Sequence, residues 1–342
     1  MIRRPPRSTL FPYTRILLRS GRRVIPDLTA QAKGQPSYNG SEPVNKQSCY
    51  PAWLHRATNA TANAWQGKFT TIVFMAMYLS GATQAPQNPQ LPAQSNVPIA
   101  FKVLTVNVHK GFTTFNRRFM LHELRDAVRD VAADLVFLQE VQGAHHRHAR
   151  RLKNFPQVPH YEFLADSIWS QYAYGRNAVY DNGDHGNALL SKFPIVHFEN
   201  HDISISGPER RGMLHCILQP PNHPLPVHAV CVHLGLQENH RQLQLKKICD
   251  LLRTLPINEP VVLAGDFNDW RVRANDVLHE GAGLQEVFVQ ATGRAARTFP
   301  ANLPLLALDR IYVRNAAVHT PIALPKQPWD KLSDHARLAA EI

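Results

Sequence analysis

The sequence has 342 residues and is 44% hydrophobic, so it can bury a sizeable core and is not disordered throughout. Its formal net charge is +12, but residues 1–97 hold 11 Lys and Arg against 2 Asp and Glu, and the rest holds 27 against 24. The basic character therefore lies in the first quarter, and bulk charge does not indicate a nucleic-acid partner for the remainder. The four cysteines show no CxxC pair and no zinc-like spacing, so we expect thiols.

We predict that residues 1–97 form a poorly structured segment ahead of a folded domain at 98–342. The segment carries scattered Pro, Gly, Ser, Asn and basic residues without a sustained helical or strand period. Its opening, MIRRPPRSTLFPYTRI, resembles a translated sequencing-adapter read-through. We therefore interpret the segment as a non-native extension, with Met75 or Met77 as the alternative start.

Phe69–Leu79 is an apolar run followed by Ser-Gly-Ala. The run is too short to predict a membrane span, although its flanks are similar to those of a signal peptide. We expect a cytoplasmic protein. The alternative is an exported or membrane-associated protein, if residues 69–82 are a genuine signal.

From Phe101 onward, apolar strands alternate with amphipathic helices. Apolar spacing predicts helices over Phe119–Ala132 and Gln237–Arg253. The predicted strands are Phe101–Val108, Asp134–Val141, Tyr161–Leu164, Asn177–Tyr180, Asn187–Leu190, Ile195–Ile205, Met213–Gln219, Val227–Val232, Val261–Phe267, Leu308–Arg314 and Ala336–Ile342. Because several strands are apolar throughout and helices lie between them, the pattern predicts a layered α/β fold.

Polar residues recur at the ends of these apolar strands, where α/β enzymes place their sites. They are Asn107, Glu140, His233, Asp266, Asn268, Asp309, Asp334 and His335. Each has an ordinary alternative, because a single Glu is more often solvated, a lone His more often structural, and Asp-Phe-Asn more often a turn. The combination is what indicates a site.

The segments LTVNVHKG, LVFLQEV, GNALLSKFPI, VCVHLG, LAGDFND, LDRIYV and SDH occur in this order. In these motifs the chain resembles the endonuclease/exonuclease/phosphatase superfamily, which includes DNase I, abasic-site endonucleases, neutral sphingomyelinases and inositol-polyphosphate phosphatases. It is most similar to the uncharacterised bacterial members. The resemblance implies a DNase I-like, four-layer α/β/β/α sandwich of two packed mixed sheets flanked by helices, with residues 98–342 as the catalytic domain.

The resemblance also implies a divalent-metal-dependent hydrolase of phosphate esters. Glu140 and Asn107 would hold Mg²⁺, with Asp334 near the metal, and Mn²⁺ could substitute. A hard cation with oxygen ligands neutralises the charge that develops when water attacks an anionic phosphodiester. Asn187, in GNALLS, matches an amide that contacts the phosphate or lies behind the site.

By the same resemblance, the remaining residues act on water and phosphate. Asp266 would orient and deprotonate the attacking water, with Asn268 holding a phosphate oxygen. His335 would contact the phosphate, and Asp309 would fix its tautomer and raise its basicity. His233 would protonate the leaving oxygen.

The substrate stays open at this stage. We expect a phosphodiesterase or nuclease, and the alternatives are a sphingomyelinase-like phospholipid or small-molecule phosphodiesterase or phosphatase, or a non-catalytic scaffold of the same fold. The expected partner is a phosphate ester in nucleic acid or phospholipid, acted on by a monomer without a stable protein partner. One departure is His109, which stands where abasic-site endonucleases carry Asp, so a two-metal mechanism is also left open.

Two basic clusters have simpler interpretations. His145, His146 and His148 lie among arginines, and we predict a solvated helix face there rather than a zinc site. Arg210 and Arg211 precede a strand and are predicted to lie on the surface.

Overall fold

The computed structural model describes residues 99–316 and 319–342. The apolar run Phe69–Leu79, Cys49 and the alternative start residues lie outside them. Three cysteines, Cys216, Cys231 and Cys249, are buried free thiols, which confirms the expectation for those three. Among the described residues, none of the helices has the length and apolar character that crossing a membrane requires.

Twelve strands and six α-helices make up the described chain. The strands are β1 (Lys102–Asn107), β2 (Leu135–His145), β3 (Gln171–Tyr180), β4 (Gly183–Ser191), β5 (Ile195–Asp202), β6 (Gly212–Leu218), β7 (Val227–His233), β8 (Val261–Asp266), β9 (Gln285–Glu286), β10 (Asp309–Arg314), β11 (Thr320–Ile322) and β12 (Leu338–Glu341). The helices are α1 (Leu121–Val131), α2 (His146–Arg151), α3 (His160–Ala165), α4 (Glu238–Thr254), α5 (Ala274–Ala282) and α6 (Val287–Thr292).

The strands form two mixed six-stranded sheets. The first has the order β11-β12-β1-β2-β4-β3, and the second has the order β5-β6-β7-β8-β10-β9. Strands β1 and β2 run parallel, as do β7 and β8, while the other pairs are antiparallel. Two packed mixed sheets flanked by helices confirm the predicted four-layer sandwich.

Three apolar clusters hold the layers together. The central cluster joins the facing sides of the sheets, with Phe137 and Leu189 from the first sheet and Val262 from the second. A second cluster packs α1 and α3 on the outer face of the first sheet. A third packs α4 and α5 on the outer face of the second. Each fully buried Val, Leu, Ile or Phe side chain stabilises the fold by about 1.5–3 kcal/mol. The three clusters therefore fix the sheets relative to each other and to their helices.

The segment Tyr161–Leu164 is helical, so the strand predicted there is wrong. Its alternating aromatic residues mimic a strand, but Pro159 precedes α3, where proline's fixed φ favours a helix start. His160 and Leu164, four residues apart, are both buried, as one face of a helix requires. Helix α2 contains His146 and His148, as predicted for the histidine cluster, but His145 is the last residue of β2, and only His146 of the three is fully on the solvated face.

His160 is a buried histidine in which neither ring nitrogen has a hydrogen-bond partner. Burial, together with the nearby His148 and His145, lowers its pKa to about 3 from the ordinary 6.5. The folded protein therefore takes up a proton at His160 less readily than the unfolded chain does. This contribution to stability is complete above pH 6.5 and is lost as the pH falls toward about 3.

We predict that His160→Leu makes the fold less sensitive to acid. The loss of unfolding free energy between neutral pH and pH about 4 should shrink by about 1–3 kcal/mol, because the variant has no imidazole to protonate on unfolding. Urea unfolding at both pH values measures this, and His197→Leu, at an exposed position, is the matched control. An acid dependence equal to that of the wild type would contradict the assignment.

Candidate active site

The register of the second sheet brings three predicted site residues together. Strands β7 and β8 are parallel, and His233 pairs with Asp266 at their shared end. Strand β10 runs antiparallel on the other side of β8, so its first residue, Asp309, also pairs with Asp266. Asp266 therefore lies between His233 and Asp309 because of strand order alone.

Two residues of the first sheet, Asn107 of β1 and Glu140 of β2, lie beside the same site. Asn107 ends β1, and its partner in β2 is Gln139, so Glu140 lies one residue beyond it. The Ser333 hydroxyl donates to the carbonyl oxygen of Asn107 over 2.6 Å, which fixes the loop that carries Asp334 and His335.

Asp266 is the centre of the polar network. It is 1% exposed, and one carboxylate oxygen, Oδ2, accepts a hydrogen bond from Asn107 Nδ2 at 3.0 Å. The same oxygen lies 3.5 Å from His233 Nε2 and 3.8 Å from His335 Nε2. Oδ1 accepts from the backbone N–H of Asn268 at 2.9 Å. Burial raises the pKa of Asp266, and the adjacent imidazoles oppose this rise.

Glu140 is held in an uncommon backbone conformation. Its φ is +55°, in the left-handed region, at an irregularity in the pairing of β2 with β4. Such a conformation costs about 1–3 kcal/mol in a non-glycine residue and is typically retained where side-chain direction matters. The Glu140 carboxylate accepts from Asn107 Nδ2 at 3.2 Å and forms an ion pair with Lys110. Burial by itself raises the pKa of Glu140, but His233, Lys110 and these hydrogen bonds outweigh it and hold the pKa well below its usual range. Glu140 therefore stays ionised.

His335 and Asp309 form a buried pair. His335 Nδ1 lies 2.9 Å from Asp309 Oδ2, and this contact leaves Nε2 directed toward Asp266. Burial by itself lowers the pKa of His335, but the Asp309 and Asp266 carboxylates outweigh it and raise the pKa to about 10. His335 is therefore cationic at neutral pH.

His233 has the opposite electrostatic setting. Burial and the nearby Arg211 guanidinium lower its pKa to about 4, so the imidazole is neutral at neutral pH. Arg211 itself is held by Glu209 at 2.8 Å and by the carbonyl oxygen of Leu234 at 3.0 Å. A neutral and a cationic histidine thus lie on either side of one carboxylate.

Two groups of side chains could hold a metal ion. Asp266, Asp309 and His335 are a cluster whose ligand atoms all lie within 4.8 Å of one another. The other group is the sequence-predicted set of Glu140, Asn107 and Asp334, in which Asn107 turns Nδ2 toward Glu140 and its Oδ1 accepts from the backbone N–H of His109 at 3.0 Å. Carboxylate and amide oxygens, such as those of the ionised Glu140, are the ligand type that a hard divalent cation prefers. Oδ1 of Asp334 lies 3.5 Å from Nδ1 of His109, and His109 lies on the same turn as Lys110.

The two remaining predicted residues lie at different depths. Asn268 lines the cleft, and its side-chain amide donates to the carbonyl oxygen of Leu234 at 2.9 Å. Asn187 is fully buried and donates to the carbonyl oxygens of Gly212 at 2.9 Å and Cys231 at 3.3 Å. Asn187 therefore bridges the two sheets beneath the site and does not reach the cleft.

Five of the predicted site residues line a cleft of about 380 Å³, whereas Asn107, Asp309 and Asp334 are outside its lining. It is lined by Glu140, Arg211, His233, Leu236, Asp266, Asn268, Trp270, Phe299, Leu306, Leu308 and His335. Arg211 was predicted to lie on the surface, and this is wrong, because its contacts with Glu209 and Leu234 turn it inward. Lys110 and Trp270 were not predicted as site residues. Lys110 lies within the first motif, LTVNVHKG, and that position was the available signal.

Comparison with known proteins agrees with the motifs. Residues 104–335 match the model of the Endonuclease/Exonuclease/phosphatase family. The chain is 59% identical over 243 residues to the uncharacterised protein YbhP of Escherichia coli K12, which covers 71% of this chain and 96% of YbhP. The same identity holds for YbhP of Shigella flexneri.

Solved structures share the fold at low sequence identity. An endonuclease/exonuclease/phosphatase from Beutenbergia cavernae matches with a TM-score of 0.57 and 18% identity, covering 71% of each chain. The mannosyl-6-phosphatase Bt3783 of Bacteroides thetaiotaomicron matches with a TM-score of 0.53 and 15% identity, over 71% of this chain and 99% of that one. The DNase I-like fold is thereby confirmed. Motifs, sheet topology and the match over most of the folded region show that this chain belongs to the endonuclease/exonuclease/phosphatase family.

Proposed function

We propose that the protein is a divalent-metal-dependent phosphodiesterase. The observation that carries the proposal is the position of Asp266 between a neutral His233 and a cationic His335, with Oδ2 within 4 Å of both rings. Titratable groups whose pKa values are driven apart by their surroundings are typical of acid–base catalysis. A buried network that served only stability would not need different charge states on two adjacent histidines.

Asp266 is the base of the proposed reaction. Its two oxygens have fixed donors in Asn107 and Asn268, so the carboxylate keeps one orientation toward the cleft. Burial raises its pKa, which makes the ionised form a better proton acceptor from a bound water. Asn268 would hold a phosphate oxygen with the amide hydrogen that Leu234 does not use.

His335 is the cationic partner of the phosphate. Asp309 fixes Nδ1, so Nε2 carries the other proton toward the cleft, where it would donate to a phosphate oxygen or to the leaving oxygen. His233, neutral in the free protein, is suited to accept a hydrogen bond. The family role of protonating the leaving oxygen therefore fits His335 better than His233.

Glu140, Asn107 and Asp334 would hold the cation, for which Mg²⁺ or Mn²⁺ is suited by the oxygen donors. A bound cation would neutralise charge on the phosphate as the water attacks. In the free protein Lys110 balances the charge of Glu140.

Replacing Glu140 tests the cation site. We predict that Glu140→Gln lowers kcat/KM for a chromogenic phosphodiester by about 10²–10³-fold, because the variant keeps the shape but loses the charge. Glu162→Gln, an exposed position on α3, is the matched control. Metal binding measured by calorimetry should weaken with Glu140→Gln and not with the control. Wild-type rates in Glu140→Gln would overturn the role of Glu140.

Replacing Asp309 tests the acid–base pair. Asp309→Asn is expected to lower kcat by about 10²–10⁴-fold with little change in KM, because His335 loses the carboxylate that keeps it charged and oriented. The His335 ring resonances, followed by NMR over a pH series, should titrate at a lower pH in the variant. An unchanged His335 titration would show that Asp309 does not act through that ring.

A substrate panel tests the activity as a whole. It spans plasmid DNA, an abasic-site duplex, RNA, sphingomyelin, cardiolipin and a chromogenic phosphodiester, each with Mg²⁺ or Mn²⁺ and with EDTA. We expect turnover of at least one of them that EDTA abolishes. Folded protein that hydrolyses none of these substrates would refute the proposal.

A further inference from the structure

A group of exposed apolar side chains surrounds the mouth of the cleft. We call Leu236, Trp270, Leu303, Leu305 and Leu306 the apolar rim. Between 40% and 69% of the surface of each is exposed. Leu236, Trp270 and Leu306 also line the cleft itself. A clustered apolar patch of this kind typically marks an interaction surface rather than scattered surface residues.

Three of the five rim residues, Leu303, Leu305 and Leu306, lie on one hydrogen-bonded loop. Phe299 and Leu306 pair across the base of the loop, and the Leu305 N–H donates to the carbonyl oxygen of Phe299 at 2.9 Å. The Ala301 N–H donates to the carbonyl oxygen of Asp334 at 2.8 Å, which ties the loop to the catalytic segment. Leu303 and Leu305 therefore lie at the tip of a loop whose base lines the cleft.

Positive charge accompanies the rim. Arg271 lies over the ring of Trp270, 4.5 Å from its centroid, and Arg210 precedes the cleft residue Arg211. Both arginines are exposed, and neither forms an ion pair with a carboxylate of the described residues. Leucine and tryptophan beside unpaired arginine are the composition of surfaces that enter the interface of an anionic bilayer.

The aliphatic character of the rim favours lipid over nucleic acid. Single-stranded nucleic acid is bound by stacking bases on aromatic rings, and a leucine has no such face. Four of the five rim residues are leucines. A leucine side chain gains free energy when it leaves water for hydrocarbon.

We propose that the apolar rim docks on an anionic phospholipid surface and that the substrate is a phospholipid phosphodiester presented at the mouth of the cleft. The hydrolysis part rests on the proposed function, whereas docking does not. In the reaction, the water oxygen bonds to phosphorus and the bond from phosphorus to one alcohol oxygen breaks. One water proton goes to Asp266, and the leaving oxygen takes a proton from His335.

Vesicle sedimentation tests the docking. The probes are vesicles of phosphatidylcholine alone and of phosphatidylcholine with phosphatidylglycerol. We expect binding to the anionic vesicles, and a partition coefficient at least about ten-fold lower for the double variant Leu303→Ser/Leu305→Ser. Ile257→Ser is the matched control, because Ile257 is 82% exposed and lies beside Asn315, at the opposite end of the strands. Equal vesicle binding by the double variant and the wild type would overturn the docking.

Three further measurements distinguish a lipid surface from a second copy of the chain and from nucleic acid as the partner of the apolar rim. Sedimentation velocity should show the same oligomeric state for wild type and double variant, and a dimer that the double variant dissociates would assign the rim to a second copy. Wild-type binding to single-stranded DNA that the double variant loses would assign it to nucleic acid and overturn the proposal. The ratio of vesicle-lipid to soluble-diester hydrolysis should fall at least about ten-fold in the double variant. Vesicle binding without turnover of any diester would refute the proposed function and the phospholipid substrate, but not the docking.

Discussion

Asp266 is a carboxylate buried at the end of a central strand, and the site depends on how its charge is accommodated. A buried carboxylate without partners is strongly unfavourable, so each lone pair must be satisfied or balanced. Strand order supplies His233 on one side and Asp309 on the other, and the facing sheet supplies Asn107. The packing of the two sheets and the chemistry of the cleft therefore have a common cause.

The same constraint explains the electrostatic asymmetry of the cleft. Asp309 raises the pKa of His335 and makes it cationic, whereas burial and Arg211 lower the pKa of His233 and keep it neutral, although both rings lie against one oxygen of Asp266. Glu140 adds a permanent negative charge at the other wall, oriented by a left-handed backbone. In the proposed function, these charges assign the cation, the water and the phosphate to separate parts of the cleft.

Much of this could be predicted from sequence, because strand-end polar residues follow from the pattern of apolar runs. The polar ends of β1, β7 and β8 were identified in this way, and so was the layered fold. Sequence patterns do not predict a side chain's position where contacts with residues distant in sequence determine it. Arg211 turns inward because of Glu209 and Leu234, and the ion pair of Lys110 with Glu140 depends on left-handed backbone at both residues. Tyr161–Leu164 failed because an alternation of aromatic residues is shared by strands and short helices.

The central claim is that one cleft separates a cation-binding wall from a phosphate-binding wall. Anomalous diffraction from crystals soaked with Mn²⁺ and a phosphorothioate diester tests it most directly. The account predicts a manganese peak beside Glu140 and a sulfur peak between His335 and Asn268. A manganese peak among Asp266, Asp309 and His335 would contradict it, because those side chains would then be metal ligands rather than the acid and base.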